Sequence, residues 1–412
     1  MKRSKKENKK NSNNKNKIIK IIVLVLSIIL VGELIYMGAL SYKQDKNNTY
    51  YTFINGLVST DKGFVGVGNS DFKHGKSHNK QEYSKALLNV YNKDFRVKKE
   101  IMLDTGYSSY YNDIISVDDG FIAVGAIEMT KYHNENNGSE GLIVKYDKNY
   151  KQVFRKNFKI LGNTEFTKVK ALSDGSFIVI GKSLYEKDVI GNHNTGGAIV
   201  VKFDKNGKEI SRANYKGPYK GIFTDILVDT DGYAVVGSIN DSVGVLMKYD
   251  ENLKEKWHYH YSYTDTLGFT SVDKIDNNYI LTGTKLDSKN KLDYYKASLV
   301  IVNNDGKKVK EVTYKGSNFT VFNDLLIDKD NITVVGVTGI KGKNTVTDGI
   351  IVTYNKNYEV TKEEKLSYSN NESYNKIYNF NNKKYLLGYT NSKIKGIKSN
   401  GKDYFPVIKE LN

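Results

Sequence analysis

The chain has no cysteine, two prolines and a single tryptophan among its 412 residues. Without cysteine there is no disulfide, no thiolate metal site, no cysteine nucleophile and no lipidated lipoprotein cysteine. So few prolines exclude collagen-like and proline-rich architectures. Six histidines are scattered, and no His-Glu-x-x-His, Gly-x-Ser-x-Gly or Gly-x-x-x-x-Gly-Lys-Ser/Thr pattern occurs. Helical periodicity is almost absent after residue 41, and long apolar runs are absent apart from one near the N-terminus.

What the chain does have is a repeat. The stretch from Phe223 to Gly237 reads as an aromatic, two polar residues, an apolar run, a polar turn, a second apolar run and a glycine. Six further copies run from Ile54 to Gly68, Tyr111 to Gly125, Phe166 to Gly181, Phe269 to Gly283, Phe322 to Gly336 and Tyr374 to Gly388. Regular recurrence of about 50 residues marks stacked or radially arranged units. A second motif follows each glycine, as in Gly141-Leu-Ile-Val-Lys-Tyr-Asp147 and Ala198-Ile-Val-Val-Lys-Phe-Asp204. Apolar β-branched runs broken by Asp-Lys-Asn-Gly or Asn-Asp-Gly are hairpin signals. Each unit is therefore about four short strands, A to D.

Strand B is continuously apolar, as in Phe177-Ile-Val-Ile180, which implies burial on both faces. Radial repetition around a channel buries both faces of antiparallel sheets. The D strands mix in charge, as in Lys308-Val-Lys-Glu-Val312, which suits exposed edges. The predicted fold is all-β: a seven-bladed β-propeller of four-stranded antiparallel blades over residues 51–412, preceded by one transmembrane helix. The seventh unit lacks a D strand after Tyr404 to Lys409, so a strand within Ser41 to Phe53 is expected to complete it.

The net charge of +17 is unevenly placed. Residues 1–20 hold nine Lys/Arg and one Glu and read as a disordered cytoplasmic tail. The apolar stretch 21–40 is long enough to cross a bilayer, with about 1.5 Å rise per residue over a core of about 30 Å. Positive residues before it place the N-terminus in the cytoplasm and the propeller outside. A cleaved signal peptide with Ala39-Leu-Ser41 as its site is the competing reading. Glu33 interrupts the stretch in its outer half, where it is tolerated near the interface or meets a partner helix. Residues 41–50 form a linker or closing strand. The basic tail lies on the wrong side of the membrane for an outside partner, and nucleic acid is not expected.

The Asp-Gly-Tyr/Phe turn followed by apolar residues and Gly, as at Asp231-Gly-Tyr233, resembles repeats of bacterial surface propellers, as does the Lys-Tyr-Asp-x-Asn turn. The composition, rich in Lys, Asn, Ile and Tyr, looks like that of a low-GC Gram-positive organism. The resemblance implies the fold and no catalytic residue. No Trp-Asp dipeptide closes the units, no Gly-Gly doublet recurs, and Trp257 stands alone.

The acidic turns Asp118-Asp119, Asp174, Asp229-Thr-Asp231, Asp147, Asp204 and Asp250 lack EF-hand spacing, and turn chemistry accounts for them. His258 and His260 alternate on a D strand and would share a face, as an exposed polar pair or a surface metal pair. No catalytic residue, metal ligand or cofactor is assigned. The stronger signal is insertion length. Six units carry long segments between strands B and C: Asn69 to Tyr83, Ala126 to Glu140, Lys182 to Gly196, Thr284 to Tyr295, Val337 to Thr347 and Tyr389 to Lys402. The fourth has only Ser238 to Asp241. In a propeller these loops share one end, which marks a binding face. The expected function is a membrane-anchored extracytoplasmic binding or scaffold module, single-pass, engaging an envelope protein or an anionic wall polymer. The alternative is an envelope carbohydrate-active enzyme with carboxylates at the channel mouth.

Overall fold

The repeated aromatic-polar-polar segment builds the inside of a ring. In a computed structural model, which describes residues 39–41, 50–72, 84–128, 138–160, 162–184, 196–215, 221–239, 243–261, 266–285, 295–317, 319–340, 346–367, 370–391 and 405–411, every copy starts a β-hairpin. A short strand β1 (Ala39–Ser41) comes first. Blade one holds β2 (Tyr50–Thr60), β3 (Gly63–Phe72), β4 (Lys85–Asn92) and β5 (Val97–Met102). Blade two holds β6 (Ser109–Val117), β7 (Gly120–Glu128), β8 (Ser139–Asp147) and β9 (Gln152–Phe158). Blade three holds β10 (Asn163–Ala171), β11 (Phe177–Leu184), β12 (Gly196–Phe203) and β13 (Glu209–Asn214). Blade four holds β14 (Gly221–Asp229), β15 (Gly232–Ile239), β16 (Val243–Tyr249) and β17 (Glu255–Tyr261). Blade five holds β18 (Thr266–Ile275), β19 (Asn278–Lys285), β20 (Lys296–Asn303) and β21 (Lys308–Thr313). Blade six holds β22 (Phe319–Asp328), β23 (Asn331–Ile340), β24 (Val346–Tyr354) and β25 (Val360–Leu366). Blade seven holds β26 (Glu372–Phe380), β27 (Lys383–Thr390) and β28 (Phe405–Leu411).

Within each blade, neighbours in sequence are neighbours in the sheet, and the pairing is antiparallel. The all-β seven-bladed propeller expected from the repeat is therefore the observed fold. Its apolar clusters sit between blades rather than within them. One joins Val65 and Leu88 of blade one to Tyr111 and Val144 of blade two, and another joins Ala234 and Leu246 of blade four to Phe269 and Val300 of blade five. This is why the B strands are apolar on both faces: β15 is buried throughout, packing forward with one set of side chains and backward with the other.

Each inner strand carries a β-bulge at the same place, for instance between Phe223 and Asp225 and between Phe166 and Lys168. The bulge presses the inner strand onto its neighbour and explains the glycine that ends each motif. A Cβ on Gly237 would collide with the Ile222 carbonyl oxygen, and one on Gly68 with that of Phe53. Gly283 is looser, since its Cβ would meet the Phe269 ring at 3.1 Å and a carbonyl oxygen, that of Gly268, no nearer than 3.6 Å.

Three expectations need restating. The apolar stretch 21–40 lies outside the described residues except for Ala39 and Leu40, which belong to β1; among the described residues no helix is long and apolar enough to cross a membrane. Blade seven is a three-stranded sheet among the described residues, and β1 pairs with β2, Leu40 opposite Phe53, rather than with β28. Parts of the B–C insertions are not loop at all. In blade six the strands continue to Ile340 and resume at Val346, because Val337 to Gly339 go on pairing with Thr347 to Gly349.

Candidate functional site: the channel ring and the two ends of the propeller

The two polar residues after each aromatic have separate jobs. The first sits at the bulge and reaches the next blade. Asn55 donates to the Tyr111 carbonyl at 2.7 Å, Asn112 to that of Phe166 at 2.8 Å and Thr167 to that of Phe223 at 2.6 Å. Thr224 donates to Phe269 at 2.8 Å, Thr270 to Phe322 at 2.8 Å and Asn323 to Tyr374 at 2.9 Å. Six seams are latched in this way. At the seventh, the Nδ2 of Asn375 is buried and has no hydrogen-bond partner among the described residues.

The second polar residue forms a ring on the inner strands: Gly56, Asp113, Lys168, Asp225, Ser271, Asp324 and Lys376. The aspartates point forward and cap backbone amides of the next blade. Val169 N–H donates to Asp113 at 3.1 Å, Val272 N–H to Asp225 at 3.1 Å and Ile377 N–H to Asp324 at 3.0 Å. One layer further along, Ile327 N–H donates to Asp273 at 3.0 Å. The Lys168 ammonium lies 3.2 Å from Asp225. The Ser271 hydroxyl lies 2.6 Å from Asp225 and 2.9 Å from Asp324, and its one proton serves one carboxylate at a time.

Burial works against charge on Lys168, but the carboxylates of Asp225, Asp324 and Asp113 outweigh it and hold its pKa well above the ordinary lysine value. Burial likewise opposes ionisation of Asp225, yet Lys168, Lys170 and Lys376 keep it well below the usual carboxylate range. Lys376 is the opposite case. Burial, reinforced by the Lys168 charge, lowers its pKa, and it forms no hydrogen bond or ion pair among the described residues. Burial raises the Asp273 pKa. The ring is thus a set of carboxylates already engaged by amides and ammonium groups.

The turn end of the propeller shows why the acidic clusters recur. In the C–D turns one side-chain oxygen accepts two backbone amides: Asp147 takes Asn149 and Lys151, Asp204 takes Asn206 and Lys208, and Asp250 takes Asn252 and Lys254. The A–B turn acids pair with the lysine of the Lys-Tyr/Phe-Asp motif, Asp119 with Lys145 at 2.7 Å and Asp174 with Lys202 at 3.5 Å. Asp229 is the most engaged, with Lys248 at 2.7 Å, Lys274 at 2.9 Å and the Tyr279 hydroxyl at 2.5 Å. Burial opposes its charge and these donors overcome it, so its pKa falls well below the usual range. A groove of about 470 Å³ lies beside Asp118, Lys145 and Lys205 between blades two and three.

His258 and His260 do share a face. Their rings stack with centroids 4.5 Å apart, and His258 Nδ1 lies 2.6 Å from Glu255. Near-parallel stacking aims the ring nitrogens alongside one another rather than at a common point, and no metal-holding group of three or more His, Cys, Asp or Glu occurs among the described residues. The central spans of the long B–C insertions lie outside the described residues. The blade topology nevertheless places all seven B–C connections at the end opposite the acidic turns.

The ring was written in the repeat as its second polar position, but only pseudo-symmetry brings Asp113, Lys168, Asp225 and Asp324 together. No family model matches the chain, and no curated protein is significantly similar to it. Among solved structures, a variant of the Synechocystis apocarotenoid oxygenase is similar over 87% of this chain and 90% of its own, with 9% identity and a TM-score of 0.50. A putative 6-phosphogluconolactonase from Bacteroides uniformis is similar over 85% of this chain and 100% of its own, with 11% identity and a TM-score of 0.45. At such identities the likeness is one of fold.

Proposed function

We propose that this protein is a binding or scaffold module held at a membrane by residues 21–40, with an extracytoplasmic propeller whose B–C loop end engages an envelope protein or an anionic wall polymer. The observation that carries the reading is the state of the channel. Asp113, Asp225 and Asp324 cap amides of the following blade, and Asp225 also pairs with Lys168. Acids tied up in this way hold the ring together and are poorly placed to donate or accept a substrate proton. That weighs against the carbohydrate-active alternative, which needs two free carboxylates facing a sugar. Variation is concentrated instead in the insertions at one end, where six blades carry long segments and blade four does not.

The test replaces the six long insertions, one at a time and together, with the Ser238 to Asp241 connection. Binding to purified wall polymer or to membrane-extracted protein partners should fall at least tenfold while thermal unfolding stays cooperative. Retained binding by the fully shortened, folded variant would overturn the reading. Hydrolysis of an envelope glycan by the parent chain, lost on replacing Asp113 or Asp324 in a folded protein, would favour the enzyme. The anchor is tested separately: the chain should sediment with membranes and be released by deletion of residues 21–38.

A further inference from the structure

Lys145, Lys202 and Lys248 occupy the same place in the third strands of blades two, three and four, opposite Ile122, Ile178 and Ala234 of the second strands. What each lysine meets depends on the next blade. In the seam between blades four and five, Lys248 pairs with Asp229 at 2.7 Å and with Asp231 at 2.6 Å. Asp229 in turn holds Lys274 at 2.9 Å and the Tyr279 hydroxyl at 2.5 Å. A carboxylate, an ammonium and a hydroxyl therefore fill the space beside Lys248. In the seam between blades three and four, Lys202 pairs with Asp174 at 3.5 Å and is hydrogen-bonded to the Tyr233 hydroxyl.

The seam between blades two and three has lost all three groups. Val117 stands where Asp229 does, since each ends its inner strand opposite the glycine that opens the next, Gly120 or Gly232. Ala171 stands for Lys274 and Phe177 for Tyr279, since Ala171 pairs with Phe177 as Lys274 pairs with Tyr279. The groove of about 470 Å³ lies where these smaller, apolar side chains replace the charged cluster. Lys145 is only 6% exposed and pairs with a single carboxylate among the described residues, that of Asp119. An ammonium has three donors, so the place that Asp229 takes beside Lys248 is left for another acceptor beside Lys145. Val117, Ile122 and Leu172 give the groove apolar walls, Asp118 adds a carboxylate from the turn of blade two, and Lys205 adds an ammonium from blade three.

We propose that this groove binds a free apolar α-amino acid, with its carboxylate on Lys145, its ammonium on the Asp118–Asp119 rim and its side chain against Val117, Ile122 and Leu172. The lining favours a zwitterion over a simple acid or a simple amine. Two lysines and two aspartates face the groove, so a ligand with one charge of each sign leaves the site balanced. A ligand with a single charge would leave one charge in excess in a partly desolvated place, where the cost is larger than in water. The zwitterion also supplies the two charged groups that this seam lacks, the carboxylate of Asp229 and the ammonium of Lys274. The volume falls within the range of small-molecule pockets, about 300–1,000 Å³. The groove lies at the turn end, opposite the B–C loops, so the site stands apart from the function proposed above.

The test titrates the full chain with L-leucine by isothermal calorimetry, beside leucinamide, which lacks the carboxylate, and isocaproate, which lacks the amine. Leucine should bind saturably, and each analogue at least tenfold more weakly. Lys145→Met should weaken leucine binding at least tenfold. A second arm fills the groove. Val117→Asp with Ala171→Lys and Phe177→Tyr rebuilds the cluster of blades four and five, and should abolish leucine binding while Tm holds or rises. Ala171 is exposed, so Ala171→Lys alone is compatible with the fold and should also weaken leucine binding, which keeps the test intact if the other variants unfold. Absence of saturable binding of leucine, valine and methionine to the parent chain overturns the proposal, as does undiminished leucine binding by a folded filled variant. Isocaproate or inorganic phosphate binding as tightly as leucine overturns the zwitterion and makes the groove a simple anion site.

Discussion

The seam between blades four and five and the seam between blades seven and one are built from the same repeat and end up different. At the first, Thr224 latches the Phe269 carbonyl, Asp225 caps Val272, and Trp257 of the outer strand packs edge-on against Tyr279. Ten buried side chains fill the space between the sheets. At the second, Asn375 has no partner for its Nδ2 among the described residues, and the ring position is Lys376, which cannot accept an amide. The apolar contact there is split into two clusters of three and four buried residues. A ring opens at its least favourable seam. The comparison teaches that sequence identity of the motif is not identity of the joint: one substitution at the second polar position removes an acceptor and leaves an ammonium that makes no hydrogen bond or ion pair among the described residues.

The largest effect is expected at Lys168. Its charge offsets three buried carboxylates, Asp225, Asp324 and Asp113, and removing one partner of a buried pair typically costs about 3–5 kcal/mol. Lys168→Met should therefore lower the urea midpoint sharply with little change in m-value. The pH dependence has a definite sign. The Asp225 pKa is depressed in the folded state, so its stabilisation is present above the ordinary carboxylate range and is lost as pH falls through the depressed value. Lys168 is raised, so its contribution is present below the ordinary lysine range and is lost as pH rises through the raised value. Without Lys168, burial dominates Asp225 and acid unfolding should move to higher pH. An unchanged acid midpoint in Lys168→Met would show that the other lysines alone hold Asp225 ionised.

A smaller effect separates the two seams at their latches. Thr224→Val removes the donor to Phe269 and keeps the shape, which should cost about 1 kcal/mol for a lost buried hydrogen bond. Asn375→Ala removes a donor that bonds nothing among the described residues, so it should cost less than Thr224→Val in the same equilibrium unfolding series. Equal losses would mean that Asn375 finds its acceptor in solution and that the last seam is latched like the others.

Much of this architecture was legible in the residues. The apolar B strands announce burial on two faces, and the glycines at 68, 125, 181, 237, 336 and 388 record a backbone pressed against a carbonyl. The acidic turns were also readable, since Asp204 and Asp250 do what Asx turns do. The ring was not. Asp113 and Asp324 are far apart in sequence, and a polar residue following a bulge looks the same whether it faces solvent or a channel. The B–C insertions were overestimated for a related reason. Val337 to Gly339 carry no turn residue other than glycine, and only the pairing with Thr347 to Gly349 reveals them as strand.

The smallest effect, and the one that sharpens the contrast most, is at Lys376. Its pKa is lowered by burial and by Lys168, which means that the folded state disfavours its proton. A lysine depressed in the folded state lowers stability wherever it is protonated, and the penalty is relieved as pH rises through its folded value towards the ordinary lysine range. Replacing it with an apolar side chain of similar length removes a charge that makes no hydrogen bond or ion pair among the described residues and is attracted to the channel aspartates only at longer range. Lys376→Met should therefore be neutral or stabilising by up to about 1 kcal/mol near pH 7, in line with apolar replacement of buried charge elsewhere. The gain should shrink towards zero as pH approaches 10. The two lysines occupy equivalent positions on blades three and seven, so the same substitution tested at both isolates the partner as the variable. A loss at Lys376 comparable to that at Lys168 would mean that its attraction to Asp225, Asp324 and Asp113 outweighs its burial, and that the seam between blades seven and one is held electrostatically after all.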